Sequence, residues 1–155
     1  MKRIIITGGL GYIGTELCKI YSGVSWNNKI TVIDNRFISE RVNQLRNWNM
    51  EFVHGDILDK ELVLKYFKDA DIVHHLAGIT DVPRVKGEST KEKDDSIKSV
   101  GENGTQNILD AISKKCKIVF PSTHVIFEGI NEVKKEIKED EESKPVLSNS
   151  LSKAV

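Results

Sequence analysis

The chain predicts a doubly wound α/β domain: a parallel sheet of about five strands with helices on both faces. Short apolar runs rich in β-branched residues recur at 4–6, 30–33, 50–54, 71–78 and 117–120, and stretches with helical spacing separate them. The first run breaks directly into glycines and then into helix-forming residues. The 155 residues suit one domain, 1–155, which could bury roughly 68–70% of its unfolded surface.

The first strand leads into Thr7-Gly8-Gly9-Leu10-Gly11-Tyr12-Ile13-Gly14. Gly9, Gly11 and Gly14 satisfy G-x-G-x-x-G, and Gly8, Gly11 and Gly14 satisfy G-x-x-G-x-x-G. Such a turn needs a residue free to take positive φ, a backbone that a pyrophosphate can approach without meeting a Cβ, and close helix–strand packing. The helix that follows, 12–22, would offer the N–H groups of its first turn, from Tyr12, Ile13 and Gly14, to the phosphates.

A matching acid lies twenty positions beyond Gly14, where Asp34 closes the second strand. A carboxylate there accepts hydrogen bonds from the ribose hydroxyls and repels a 2′-phosphate, which favours NAD over NADP. Arg36 is the rival signal, because a guanidinium nearby could hold that phosphate.

Residues 23–28 read as a return loop and 41–47 as a short helix before the third strand. Asp56, just past that strand, would lie beside an adenine pocket or open the next helix, 60–68, for which Asp59 is the better cap. The fourth strand ends in Ala77 and Gly78, which leave space for backbone to run under a nucleotide. His74 and His75 point to opposite faces of that strand. One should be buried and hydrogen-bonded and the other packed beneath a helix, without a catalytic or metal role. Polar residues 80–93 lead to a helix over 94–113, weakened by Gly101 and Gly104. The fifth strand runs into Ser122 and Thr123, and residues 128–143 read as a solvated, charged segment.

With 23 basic and 23 acidic residues, no net field draws in nucleic acid or an anionic membrane. No run approaches the ~18 apolar residues of a membrane span, and the start lacks a signal-peptide pattern. Cys18 and Cys116 have no metal spacing and read as buried thiols in a reducing compartment, so the expected location is the cytoplasm. No metal site is expected.

In order, these segments resemble the extended short-chain dehydrogenase/reductase family, the NAD-dependent nucleotide-sugar epimerases and dehydratases, with a Rossmann-like fold. Thr7 to Gly14 looks like the family's cofactor turn and Val32-Ile33-Asp34-Asn35 its ribose-binding strand end. Gly55-Asp56-Ile57 resembles the adenine-contacting element, His75-Leu76-Ala77-Gly78 the fourth-strand signature and Gly104-Thr105-Gln106-Asn107-Ile108-Leu109 the following helix. The resemblance covers the N-terminal half of the family's usual chain, so the domain is incomplete at its C-terminal end, before the substrate domain. The fifth strand would then be an open edge, expected of a fragment, a truncated homologue or a self-associating unit.

The resemblance also assigns chemistry. Thr123 takes the place of a catalytic hydroxyl that meets the reacting sugar, and Lys153 that of the lysine on the nicotinamide ribose. Asn149 stands where the family has its catalytic tyrosine, Gly101 where it has an asparagine, and Phe127 where it has a tyrosine. An amide has no proton to exchange near neutral pH. Two functions follow as expectations: an impaired nucleotide-sugar oxidoreductase using NAD, or a catalytically silent nucleotide-binding module. Family members dimerise through helices that 94–113 resembles, which implies a homodimer.

Overall fold

Four of the five residues of β1 (Arg3–Thr7) are buried, so the isoleucine run serves a strand covered on both faces. The structure is a computed structural model that describes residues 1–79, 90–127, 138, 142, 144 and 145. It contains β2 (Lys29–Asp34), β3 (Glu51–His54), β4 (Ile72–His75) and β5 (Lys117–Val119) in one parallel sheet of order β3-β2-β1-β4-β5. Thr7 is level with Ile33 on one side and His75 on the other. From β1 the chain steps outward to β3, then returns to the far side of β1 as β4. In such sheets the crevice beyond the carboxyl ends, at this switch of direction, is where ligands bind.

Helices α1 (Tyr12–Tyr21) and α2 (Ser39–Asn47) supply Cys18, Val42 and Leu45 to a core with Ile4, Ile6, Leu10, Ile30 and Val32. The α2 helix stops in a Schellman turn. Asn49 takes φ 55°, its N–H donates to the Arg46 carbonyl at 3.0 Å, and the Met50 N–H donates to the Leu45 carbonyl at 2.9 Å. Leu45 and Met50 both enter the core, which fixes the chain's entry into β3. On α3 (Lys60–Phe67), the expected cap is observed: Asp59 accepts from the N–H groups of Glu61 and Leu62 at 3.0 and 3.1 Å.

Two stretches differ from expectation. Residues 23–28 fall largely in a 3₁₀ helix, Ser22–Asn27, where the Ser25 hydroxyl and the Asn28 amide bond back to the carbonyls of Ser22 and Val24. The helix expected over 94–113 is three pieces: α4 (Lys91–Lys98), a π-helical stretch Ser99–Gly104, and α5 (Thr105–Ala111). It begins earlier because the Thr90 hydroxyl accepts from the Lys93 N–H at 3.3 Å. Its glycines supply no side chain that favours a regular helix, and a Cβ on Gly104 would stand 2.5 Å from the Ile57 side chain.

The chain divides into two compact units, Met1–Gly78 with Asn103–Pro121 and Ile79–Glu102 with Ser122–Val155. The first contains the whole sheet. Its edge strand β5 is buried at none of its three residues, and Val119 is 40% exposed. In the second unit, the Lys144 N–H donates to the Ile126 carbonyl at 2.9 Å, beside a 3₁₀ turn His124–Phe127. Most of the 128–143 segment lies outside the described residues.

Candidate functional site

Gly8 turns the chain off the end of β1 with φ +66°, a conformation that favours glycine. Its N–H continues the ladder to the Ile33 carbonyl at 2.8 Å. On the opposite side, the Leu76 N–H donates to the Thr7 carbonyl at 3.2 Å and the Ala77 N–H to the Thr7 hydroxyl at 3.1 Å. These bonds bring the end of β4 so close that a Cβ on Gly8 would lie 2.8 Å from the Ala77 nitrogen. The Gly11 N–H closes the turn on the Gly8 carbonyl at 3.0 Å. A Cβ on Gly14 would run into the Gly8 carbonyl and stand 2.6 Å from the Gly9 Cα, so only glycine lets α1 start this near the strand.

The α1 N-terminus has no side-chain cap and no acidic residue in its first turn. Its first N–H groups and the positive end of its dipole therefore remain for an anion. Tyr12 and Ile13 are exposed beside them.

Asp34 is 5% exposed at the end of β2. Its Oδ2 accepts from the Leu10 N–H at 2.9 Å, and its Oδ1 from the backbone N–H and the Nε of Arg36 at 3.0 and 3.3 Å. The Leu10 carbonyl in turn accepts from the Arg41 guanidinium of α2. The two peptides that flank Leu10 in the glycine turn are thus held, one by a carboxylate and the other by a cation.

Asp56 lies beyond β3. Its Oδ1 accepts from the Leu58 N–H at 2.9 Å and its Oδ2 from the Asn35 side-chain amide at 3.0 Å. The Nε2–H of His54 donates to the Asn35 carbonyl at 3.0 Å, which ties the ends of β2 and β3 together. The Ile57 carbonyl accepts from the buried Asn107 amide of α5 at 3.0 Å. The loop expected to meet an adenine is therefore anchored from both neighbours.

The two histidines divide as expected. His75, 1% exposed, has Nδ1 2.9 Å from the Thr7 hydroxyl and Nε2 2.9 Å from the Thr105 hydroxyl, with its ring stacked on Phe120. His74 points the other way, with Nε2 2.8 Å from the Tyr21 hydroxyl of α1. Desolvation, and then the positive charge of Lys117, hold the His74 imidazole below its ordinary pKa. Burial pushes the Cys18 thiol up to about 12, which makes it an inert packing group.

Gly8, Gly11, Tyr12, Ile13, Gly14, Asp34, Asn35, Asp56, Ile57, Leu76, Ala77 and Gly78 all sit at or just beyond the carboxyl ends of β1 to β4. Thr123 belongs to the second unit, where its carbonyl lies 3.5 Å from the Ile126 nitrogen. Asn149 and Lys153 lie outside the described residues. Sequence reasoning missed Arg41 and Thr105. Arg41 has only a weak signal, a cation in the first turn of the helix after the acidic strand end. Thr105 has none, since nothing local marks it as the partner of a histidine thirty residues earlier.

A glycine turn at the switch point of a parallel sheet, with a buried acid closing the neighbouring strand, defines a dinucleotide-binding type of fold. Residues 5–153 match the 3-beta hydroxysteroid dehydrogenase/isomerase family, and the chain belongs to that family, within the extended short-chain dehydrogenases/reductases. It is 32% identical, over 81% of its length, to a UDP-N-acetyl-alpha-D-glucosaminuronate decarboxylase of Bacillus cytotoxicus, and covers 38% of that protein. It is likewise 32% identical, over 82% of its length, to a dTDP-D-glucose 4,6-dehydratase of Dictyostelium discoideum, and covers 30% of it. The structure of UDP-glucose 4-epimerase from Brucella ovis, solved in complex with NAD, superimposes with a TM-score of 0.75 at 26% identity. That match covers 99% of this chain and 45% of the epimerase. The chain thus spans less than half the length of these relatives. Among the described residues, no helix is long and apolar enough to cross a membrane.

Proposed function

We propose that the chain is the NAD-binding part of an NAD-dependent epimerase or dehydratase that acts on nucleotide-sugars. The observation that carries this reading is the uncapped start of α1 over a glycine turn, pinned by Leu10 to the Asp34 carboxylate. The residues present fit the cofactor: Gly8 and Gly14 let the turn pack directly on the end of β4 and on the start of α1, which leaves the first N–H groups of α1 to meet the pyrophosphate. Asp34 accepts from the adenosine ribose, and Asp56 with Ile57 receives the adenine. Leu76, Ala77 and Gly78 floor the site. The relatives include NAD-complexed and nucleotide-sugar enzymes, which supports the same ligands here.

NAD, when bound, supplies a hydride acceptor. The remaining roles fall to this chain's own groups. Lys153 holds the nicotinamide ribose, and Thr123 donates or accepts a hydrogen bond at the reacting sugar hydroxyl. Asn149 occupies the acid/base position and moves no proton there. A positioned general base is worth ~10²–10⁴ in rate, so turnover is expected to be depressed by that factor. The second reading, a silent NAD-binding module, is favoured by the same Asn149.

Titration with NAD followed by a hydride-transfer assay with nucleotide-sugars tests both, on this chain and on Asn149→Tyr. Turnover that rises on the replacement supports a lost base. Binding without turnover in either form supports the silent module, and no NAD binding defeats both.

A further inference from the structure

The loop between β3 and α3, Gly55 to Asp59, is held by two kinds of bond. On its exposed side, the Asp56 carboxylate accepts from the Leu58 N–H at 2.9 Å and from the Asn35 amide at 3.0 Å. On its buried side, the Asn107 side chain of α5, 8% exposed, donates to the Ile57 carbonyl at 3.0 Å and to the Leu58 carbonyl at 3.4 Å. An amide NH2 carries two donors, so one side chain serves two consecutive carbonyls.

A hydrogen bond away from water is the stronger kind, and losing it leaves its acceptors with their full desolvation cost. The bonds from Asn107 therefore decide where the loop stands, and the exposed bonds of Asp56 cannot replace them. Packing agrees. Ile57 is buried and lies so near α5 that a Cβ on Gly104 would stand 2.5 Å from its Cδ1. Both the side chain and the carbonyl of Ile57, the residue next to Asp56, are thus set by α5.

With two of its roughly four lone-pair sites taken, the Asp56 carboxylate keeps two for a further donor. Adenine presents an exocyclic amine. Hypoxanthine in its place presents a carbonyl oxygen, which a carboxylate repels. We propose that Asn107 is the positioning residue for base recognition: from inside the fold it fixes the Ile57 and Leu58 carbonyls so that Asp56 meets the adenine amine, without itself touching the nucleotide. The inference rests on the dinucleotide reading above and adds to it the group that sets base specificity.

Calorimetric titration of the full chain with NAD and with its deamino analogue, in which hypoxanthine replaces adenine, tests this on the wild type, Asn107→Leu and Asn107→Asp. The wild type should bind NAD about ten- to hundredfold more tightly than the analogue, the worth of a hydrogen bond to a charged group. Asn107→Leu loses both donors and should lose most of that preference, by weakening NAD and leaving the analogue little changed. Asn107→Asp keeps the shape, turns a carboxyl on the two carbonyls and should do the same, which decides the matter if the leucine variant fails to fold. A purely structural role would weaken both nucleotides alike and leave their ratio unmoved. In nitrogen-labelled wild type, the magnetic resonance signal of the Asn107 side-chain amide should move on saturation with NAD. A wild type without base preference, an unchanged ratio in the folded variants, or an Asn107 signal unmoved by NAD overturns the proposal and leaves the NAD reading intact. Binding of neither nucleotide by the wild type overturns both.

Discussion

The Thr7 hydroxyl and the His75 Nδ1 lie 2.9 Å apart, joining the last residue of β1 to the last residue of β4 directly beneath the glycine turn. Because Thr7 also accepts from the Ala77 N–H, and His75 reaches the Thr105 hydroxyl, one buried ring ties the cofactor turn, the fourth strand and α5 together. His75→Leu removes both ring partners. It should cost about 1–3 kcal/mol by leaving buried polar groups poorly satisfied, read as a lower urea midpoint. NAD affinity should fall with it, since the Thr7 hydroxyl that holds the Ala77 N–H beside the turn loses the ring that orients it.

Gly8→Ala tests the turn itself. The left-handed conformation costs a side chain about 1–2 kcal/mol, and its Cβ would also press on the Leu76–Ala77 peptide at 2.8 Å. A lower thermal midpoint together with weakened NAD binding is expected. An unchanged midpoint would show that the turn relaxes freely.

His74 links stability to acid. Its pKa is lowered in the fold by desolvation and by Lys117, so its neutral form is the one the folded state favours. That stabilisation is full above the ordinary value of 6.5 and is lost as pH falls below it. The urea midpoint should drop between pH 7.5 and 5.5, and His74→Phe should shrink that drop. An equal drop in the variant would assign the acid sensitivity to other groups.

Thiol labelling separates the two cysteines. Cys18 is fully buried with its pKa raised to about 12, whereas Cys116 is partly exposed, its pKa raised by burial and then by Asp71. Under native conditions near pH 8, an alkylating reagent should modify Cys116 slowly and Cys18 only after unfolding. Rapid modification of Cys18 in the native protein would contradict its place in the core.

The sheet was legible in the sequence because its strands are buried on both faces and so read as unbroken β-branched runs, as at Ile4 to Ile6 and Ile30 to Ile33. The glycine turn was legible because close approach leaves no alternative residue at Gly14. The helix after Thr90 was misjudged in its bounds, since a hydroxyl cap and a π-helical stretch depend on side-chain and backbone hydrogen bonds rather than on apolar spacing. Asp34 was found by its position, but its engagement by Leu10 and Arg36 was not. Hydrogen bonds between a strand end and a turn twenty-four residues earlier leave no periodic trace. The Thr7–His75–Thr105 bridge was hidden for the same reason.

The central claim is that the turn over Asp34 binds a dinucleotide, and calorimetric titration with NAD tests it most directly. Gly11 is the informative control. Its φ of −72° is open to any residue, although a Cβ there would stand 3.0 Å from the Gly8 carbonyl, and a larger side chain would stand at the capless start of α1. The account predicts saturable binding of NAD at a single site in the wild type, and loss of that binding in Gly11→Val at a temperature where thermal unfolding shows the variant still folded. Absence of saturable binding in the wild type at millimolar NAD, or equal affinity in Gly11→Val, would contradict it.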